Sequence, residues 1–78
     1  MSISEEYIRA EIVKTEAEIK KLDAEIKTVK IKIETTTNDD VLRNYYIEKC
    51  KRLMKRVNVL TEITNLWIAK FPSVPQRG

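Results

Sequence analysis

Mostly apolar residues recur every seven positions along two stretches of the chain. In each stretch a second row with the same spacing lies four residues before the first. In the first stretch the rows are Ile12, Ile19, Ile26 and Ile33, preceded by Ile8, Thr15, Leu22 and Val29. In the second stretch they are Cys50, Val57, Thr64 and Phe71, preceded by Tyr46, Leu53, Leu60 and Trp67. This spacing is that of the a and d positions of a coiled coil. The pattern therefore predicts two long helices and an all-α fold.

The first predicted helix has a recognisable start. Ser2 followed by Glu5 matches a capping box, in which the serine hydroxyl and the glutamate side chain satisfy backbone amides of the first turn. We therefore expect helix one to begin near Ile3 or Ser4 and to cover about residues 3–34.

Polar residues separate the two helices. Thr, Asn and Asp side chains between residues 35 and 39 compete for backbone amides, so they favour turns and caps over helix interiors. Thr37, Asn38 or Asp39 is expected to cap helix two, which spans about residues 39–71 and stops before Pro72. The hairpin then occupies residues 1–71, and residues 72–78 form a flexible tail that contains two prolines.

The two apolar stretches match each other when the helices run antiparallel. In an antiparallel hairpin the numbers of two facing residues always add to the same value. When this value is 79, every a residue faces a d residue of the other helix. This register sets Ile12 against Trp67 and the polar Thr15 against the polar Thr64. The sequence therefore predicts an antiparallel two-helix coiled-coil hairpin.

Helix two carries more apolar residues than one partner helix can cover. Outside the predicted seam they include Ile47, Met54, Val59, Ile63, Leu66 and Ile68. A hairpin of this size has a small core, and small helical proteins often gain stability by oligomerisation. We therefore expect a homodimer that forms a four-helix bundle, with these six residues at the oligomer interface.

The chemistry available to this chain is narrow. Its 78 residues include 15 Lys and Arg and 12 Asp and Glu, a net charge of +3, but no His, one Gly and one Cys. Without His the chain lacks the most common general base and zinc ligand, and one Gly provides no phosphate-binding loop. The composition therefore indicates a protein without catalytic residues, metal or other cofactor.

The single cysteine and the amino-terminal residues indicate a cytoplasmic or otherwise intracellular location. Cys50 cannot form an internal disulfide, and the first residues resemble no secretion signal. No apolar run approaches the roughly 20 residues of a membrane span. The seam position of Cys50 favours burial against Val29. The alternative is an exposed thiol between Lys49 and Lys51, whose charges would favour a reactive thiolate.

Positive charge is concentrated in the half of the hairpin nearest the turn. Five basic residues of helix two lie outside the seam: Lys49, Lys51, Arg52, Lys55 and Arg56. Glu48 is expected to be the only acidic residue nearby. These residues form either a solvated helix face or a binding site for an anionic partner, such as an acidic protein or duplex RNA or DNA. Since the chain has no base-recognition motif, duplex binding would be independent of sequence.

The end of the chain contains Pro72-x-x-Pro75-x-Arg77, the arrangement of a polyproline ligand followed by a basic residue. The alternative is that Pro72 only terminates helix two. The motif is short, so both interpretations stay open.

These observations predict a non-enzymatic, homo-oligomeric helical-hairpin protein that binds another macromolecule. The alternative is a sequence-independent binder of duplex RNA or DNA through the basic residues of helix two. In fold alone, the predicted hairpin resembles plasmid RNA-binding regulators and insect-virus suppressors of RNA silencing, which dimerise into four-helix bundles. This resemblance assigns no residue a role.

Overall fold

The computed structural model describes residues 4–71, which form two α-helices and no strand. Helix α1 spans Glu5–Thr35 and helix α2 spans Asp40–Lys70. The two helices pack against each other along their length and are joined by a turn of four residues. The predicted all-helical hairpin is confirmed.

Helix α1 begins slightly later than the sequence pattern predicted. Its N-cap is Ser4, whose Oγ accepts a hydrogen bond from the backbone amide of Tyr7 at 3.1 Å. This cap places Glu5 and Glu6 in the first turn, where their carboxylates face the positive end of the helix dipole. The first helical residue that the structure describes is Glu5, one or two residues after the expected start near Ile3 or Ser4, and Ser2 lies outside the described residues.

The turn is closed by a cap on each side. Asp39 is the N-cap of α2, and its Oδ1 accepts from the amide of Leu42 at 3.0 Å. At the end of α1 the amide of Thr36 donates to the carbonyl oxygen of Lys32 at 3.0 Å. Of the three predicted caps, Asp39 is therefore the one that α2 uses.

Burial follows the predicted seam. The buried residues of the described chain are Ile8, Ile12, Thr15, Ile26, Val29, Cys50, Leu60 and Thr64. All of them are predicted a or d residues, and the remaining a and d residues are half-buried. The hairpin therefore has one narrow core between the helices, and most of the circumference of α2 lies outside that core.

Two apolar clusters lie along this core. At the open end, Ile8 and Ile12 pack with Trp67, Ile68 and Phe71. Nearer the turn, Ile26, Val29 and Cys50 pack with Ile33, Tyr46, Leu53 and Val57. Both clusters combine residues that the sum of 79 pairs, so the packing agrees with the predicted register. Burial of the Cys50 thiol beside Val29 is confirmed.

The two buried threonines satisfy their hydroxyls within their own helices. Thr15 Oγ1 donates to the carbonyl oxygen of Glu11 at 2.8 Å, and Thr64 Oγ1 donates to that of Leu60 at 2.9 Å. A buried hydroxyl is costly only when it lacks a partner, so this polar layer can lie in the seam. Within residues 4–71, every buried side-chain nitrogen and oxygen has a hydrogen-bond partner.

Candidate interaction surfaces on helix α2

Two of the five predicted basic residues reach across the edge of the seam to α1. Lys49 Nζ lies 3.9 Å from Glu25 Oε2, and Arg56 Nη2 lies 3.9 Å from Glu18 Oε1. The expectation that Glu48 is the only acidic residue near the basic cluster was therefore wrong. These side chains are 35% to 55% exposed, so each pair adds at most about 1 kcal/mol to stability.

The two ion pairs repeat the same geometry. On α1, Glu18 lies seven residues before Glu25. On α2, Arg56 lies seven residues after Lys49. These residues directly precede a positions, and in an antiparallel hairpin such positions face one another along one edge of the seam. The heptad positions therefore place both pairs along the same edge of the seam.

The other three basic residues lie farther from α1. Lys51 Nζ is 3.5 Å from Glu48 Oε1 on the preceding turn of α2. Among the described residues, Arg52 and Lys55 have no carboxylate within 4.0 Å, and together with Arg56 and Val59 they line a shallow groove. Of the five predicted basic residues, Arg52 and Lys55 are therefore the two that no carboxylate of the described residues meets.

The six apolar residues predicted at an oligomer interface lie on two different sides of α2. One group is Val59, Ile63 and Leu66, and the other is Ile47, Met54 and Ile68. Since each residue turns an α-helix by about 100°, the two groups point roughly 150° apart. One flat interface cannot cover both groups, so the surface outside the seam divides into two candidate interaction sites.

The first candidate site is a strip of basic and apolar residues. It comprises Arg52, Arg56, Val59, Ile63, Leu66 and Lys70, which lie within about 80° of the α2 circumference. Val59, Ile63 and Leu66 are 40%, 39% and 69% exposed. The groove at Arg52 is followed along α2 by a second groove that Ile63, Leu66, Trp67 and Lys70 line. We call this surface the basic–apolar strip.

The second candidate site is a cleft between the two helices. It is lined by Asp23, Ile26, Lys30, Met54, Val57 and Asn58. Met54 is 45% exposed, and its Sδ accepts from the Cys50 thiol at 3.8 Å. Ile68, in contrast, is half-buried and packs on the Ile8 and Ile12 cluster, so the hairpin core already uses much of its surface. We call this surface the Met54 cleft.

An aromatic contact near the turn was not foreseen from the sequence. Lys32 Nζ lies 5.4 Å from the centre of the Tyr46 ring, within the range of a cation–π interaction. The rings of Tyr45 and Tyr46 meet edge to face, with centres 5.6 Å apart. A basic residue at the edge of the seam opposite an aromatic d residue is a weak sequence signal, because a long lysine side chain has many other conformations.

Two structural features of residues 4–71 bear on metal sites and membrane spans. This part of the chain brings together no group of three or more His, Cys, Asp or Glu side chains that could hold a metal ion. Neither described helix combines the length and apolar character needed to cross a membrane. Comparisons with protein-family models, curated proteins and solved structures found no match to this chain.

Proposed function

We propose that this chain is a non-enzymatic helical-hairpin interaction protein that self-associates and binds a further macromolecule. The observation that carries the proposal is the exposure of apolar side chains on two separate sides of α2. Met54, Ile63 and Leu66 are 45%, 39% and 69% exposed although they belong to a helix whose seam is already filled. Apolar groups on two sides of one helix are typical of a protein that contacts more than one partner surface.

A second copy of the chain is the partner that fits the Met54 cleft best. The cleft carries one acidic and one basic residue, Asp23 and Lys30, beside the apolar Met54. In a twofold symmetric interface the same patch faces itself, so Asp23 of one copy can meet Lys30 of the other. Burial of Met54 from both copies then supplies apolar contact. The resulting dimer is a four-helix bundle in which coiled-coil packing extends across the copies.

The solution mass tests this proposal. Light scattering coupled to size exclusion is expected to give about twice the chain mass of 9.2 kDa, with the fraction of dimer rising with protein concentration. Helicity measured by circular dichroism on the same fractions shows whether the hairpin is folded. A folded chain with a constant mass near 9.2 kDa at all concentrations would contradict self-association.

Sequence-independent binding of duplex RNA or DNA is the second candidate. The groove at Arg52, Lys55 and Arg56, three cations within about one helical turn, favours it. In light scattering coupled to size exclusion, duplex is expected to elute with the protein at about 50 mM salt and separately from it at about 500 mM. Reversal of Lys51, Arg52 and Lys55 to Glu is expected to abolish binding at the lower salt. If the triple variant still carries duplex, the groove is not the binding site.

A further inference from the structure

We propose that the basic–apolar strip binds an acidic amphipathic helix of a partner protein. The inference rests on the proposed function, because it names the second macromolecule that the hairpin binds. It concerns a side of α2 roughly 150° from Met54, so the two surfaces can be occupied at the same time.

The dimensions of the strip fit one helix. Its residues span about 80° of α2 and run from Arg52 to Lys70, a length of about 27 Å. A partner helix of about 18 residues has this length, and a narrow apolar stripe is what such a helix presents in a helix-in-groove complex. The groove lined by Ile63, Leu66, Trp67 and Lys70 provides a place for its apolar side chains.

The positive charges of the strip favour a negatively charged partner. The strip as defined contains three basic residues, Arg52, Arg56 and Lys70, and no acidic residue. Arg52 and Arg56 lie at one end of the exposed apolar residues and Lys70 lies at the other. A partner helix with apolar residues along one face and Glu or Asp beside them would meet cations at both ends of that face.

The same charges disfavour a second copy at this site. If two α2 helices packed antiparallel through the strip, with Val59 of each copy facing Ile63 of the other, Arg52 of one would face Lys70 of its partner. Like charges in direct contact across an interface lower the binding affinity several-fold or more. Arg56 already forms an ion pair with Glu18. A carboxylate of a partner at Arg52 and Lys55 is therefore a more favourable contact than the cations of a second copy.

The apolar part of the strip distinguishes a protein from a nucleic acid. Phosphate groups would contact Arg52 and Lys55 but would leave Val59, Ile63 and Leu66 exposed. Three of the five predicted basic residues, Lys49, Lys51 and Arg56, are also engaged with carboxylates of the chain itself. An acidic helix covers both the cations and the apolar residues, so the observations favour it.

Trp67 provides the readout for a binding test. It is the only tryptophan of the chain and lines the second groove, so its fluorescence reports occupation of the strip. The probe is a synthetic 18-residue peptide of Leu, Ala and Glu, without tryptophan, in which Leu recurs at helical spacing. A scrambled peptide of identical composition is the matched control. The whole 78-residue chain is titrated with each peptide at about 50 mM salt.

The inference predicts saturable binding of the patterned peptide and at least about tenfold weaker binding of the scrambled one. Leu66→Asn is expected to weaken binding of the patterned peptide about tenfold or more, because it removes the most exposed apolar contact. The matched control is Val41→Asn, at an 82% exposed position of α2 outside the strip, which is expected to change affinity less than twofold.

Two double charge reversals separate local from overall charge. Arg52→Glu with Lys55→Glu is expected to weaken binding of the patterned peptide at least tenfold. Lys20→Glu with Lys27→Glu makes the same change in net charge at exposed positions of α1 and is expected to leave binding within about threefold. Equal losses from both reversals would show that only net charge matters, which would overturn the inference.

Four further outcomes would overturn the inference. The scrambled peptide could bind as well as the patterned one, or the patterned peptide could fail to bind. Vesicles containing phosphatidylserine, or a short RNA duplex, could change Trp67 fluorescence where the peptide does not, which would assign the strip to a lipid surface or to nucleic acid. Finally, Leu66→Asn could convert a dimer into a folded monomer, in which case the strip is the self-association site and the proposed function stands without this inference.

Discussion

Replacement of Leu60 by alanine is expected to lower the free energy of unfolding by about 2 to 5 kcal/mol. Leu60 is 5% exposed and lies between the two apolar clusters of the seam. The substitution removes buried methyl groups and leaves a cavity that two rigid helices can fill only in part. Because the chain is small, a loss of this size is a large fraction of its total stability.

Urea unfolding followed by circular dichroism at fixed protein concentration measures this loss. The control is Val41→Ala, on the same helix but 82% exposed, which is expected to change stability by less than about 0.5 kcal/mol. A Leu60→Ala chain that unfolds within about 1 kcal/mol of the unaltered protein would show that Leu60 is not in the core. The seam would then have to be assigned to other residues.

Met54→Lys is expected to convert the proposed dimer into a folded monomer. In a twofold interface each copy would bury an additional ammonium group in a cleft where Asp23 already faces Lys30 of the other copy, a situation that costs several kcal/mol. The dissociation constant should therefore rise by about 100-fold or more. Met54 is 45% exposed in the hairpin, so a lysine can extend into water when the dimer is absent.

Light scattering gives the mass of the Met54→Lys chain, and circular dichroism shows whether its helices persist. The control variant is Val41→Lys, which adds the same charge to α2 at an 82% exposed position and is expected to stay dimeric. Dissociation of both variants would point to a general effect of positive charge. A Met54→Lys chain with an unchanged mass would place the interface elsewhere.

The seam was predictable because it depends on one simple quantity, the spacing of apolar residues. A helix with apolar residues at a and d must bury that face, and the matched pattern of the second stretch provides the surface that buries it. All buried residues of the described chain therefore belong to the predicted rows. The spacing of apolar residues does not specify the cap of α1: the N-cap is Ser4, which places Glu5 and Glu6 in the first turn.

The surface outside the seam was harder to predict. Lys49 and Arg56 looked like outward-facing residues, whereas their long side chains reach Glu25 and Glu18 along the edge of the seam. Whether a long flexible side chain forms such a pair depends on differences smaller than about 1 kcal/mol, which spacing alone does not determine.

The predicted interface residues were chosen for their apolar character, without regard to direction. Helical geometry applied to Met54 and Leu66 already sets them far apart around α2. The sequence could therefore have separated the two surfaces. The sequence could not have revealed how much of each side chain the hairpin leaves exposed, because that depends on how closely α1 approaches: Ile68 is partly covered, whereas Leu66 stays 69% exposed.

The most direct test of self-association is a charge exchange across the Met54 cleft. Asp23→Lys gives a chain with lysine at both positions 23 and 30, and Lys30→Asp gives a chain with aspartate at both. Each variant alone is expected to be a folded monomer near 9.2 kDa, because like charges face each other in the dimer. An equimolar mixture is expected to show about twice that mass by light scattering, since opposite charges meet again. A mixture that stays monomeric, or single variants that stay dimeric, would contradict self-association through this cleft.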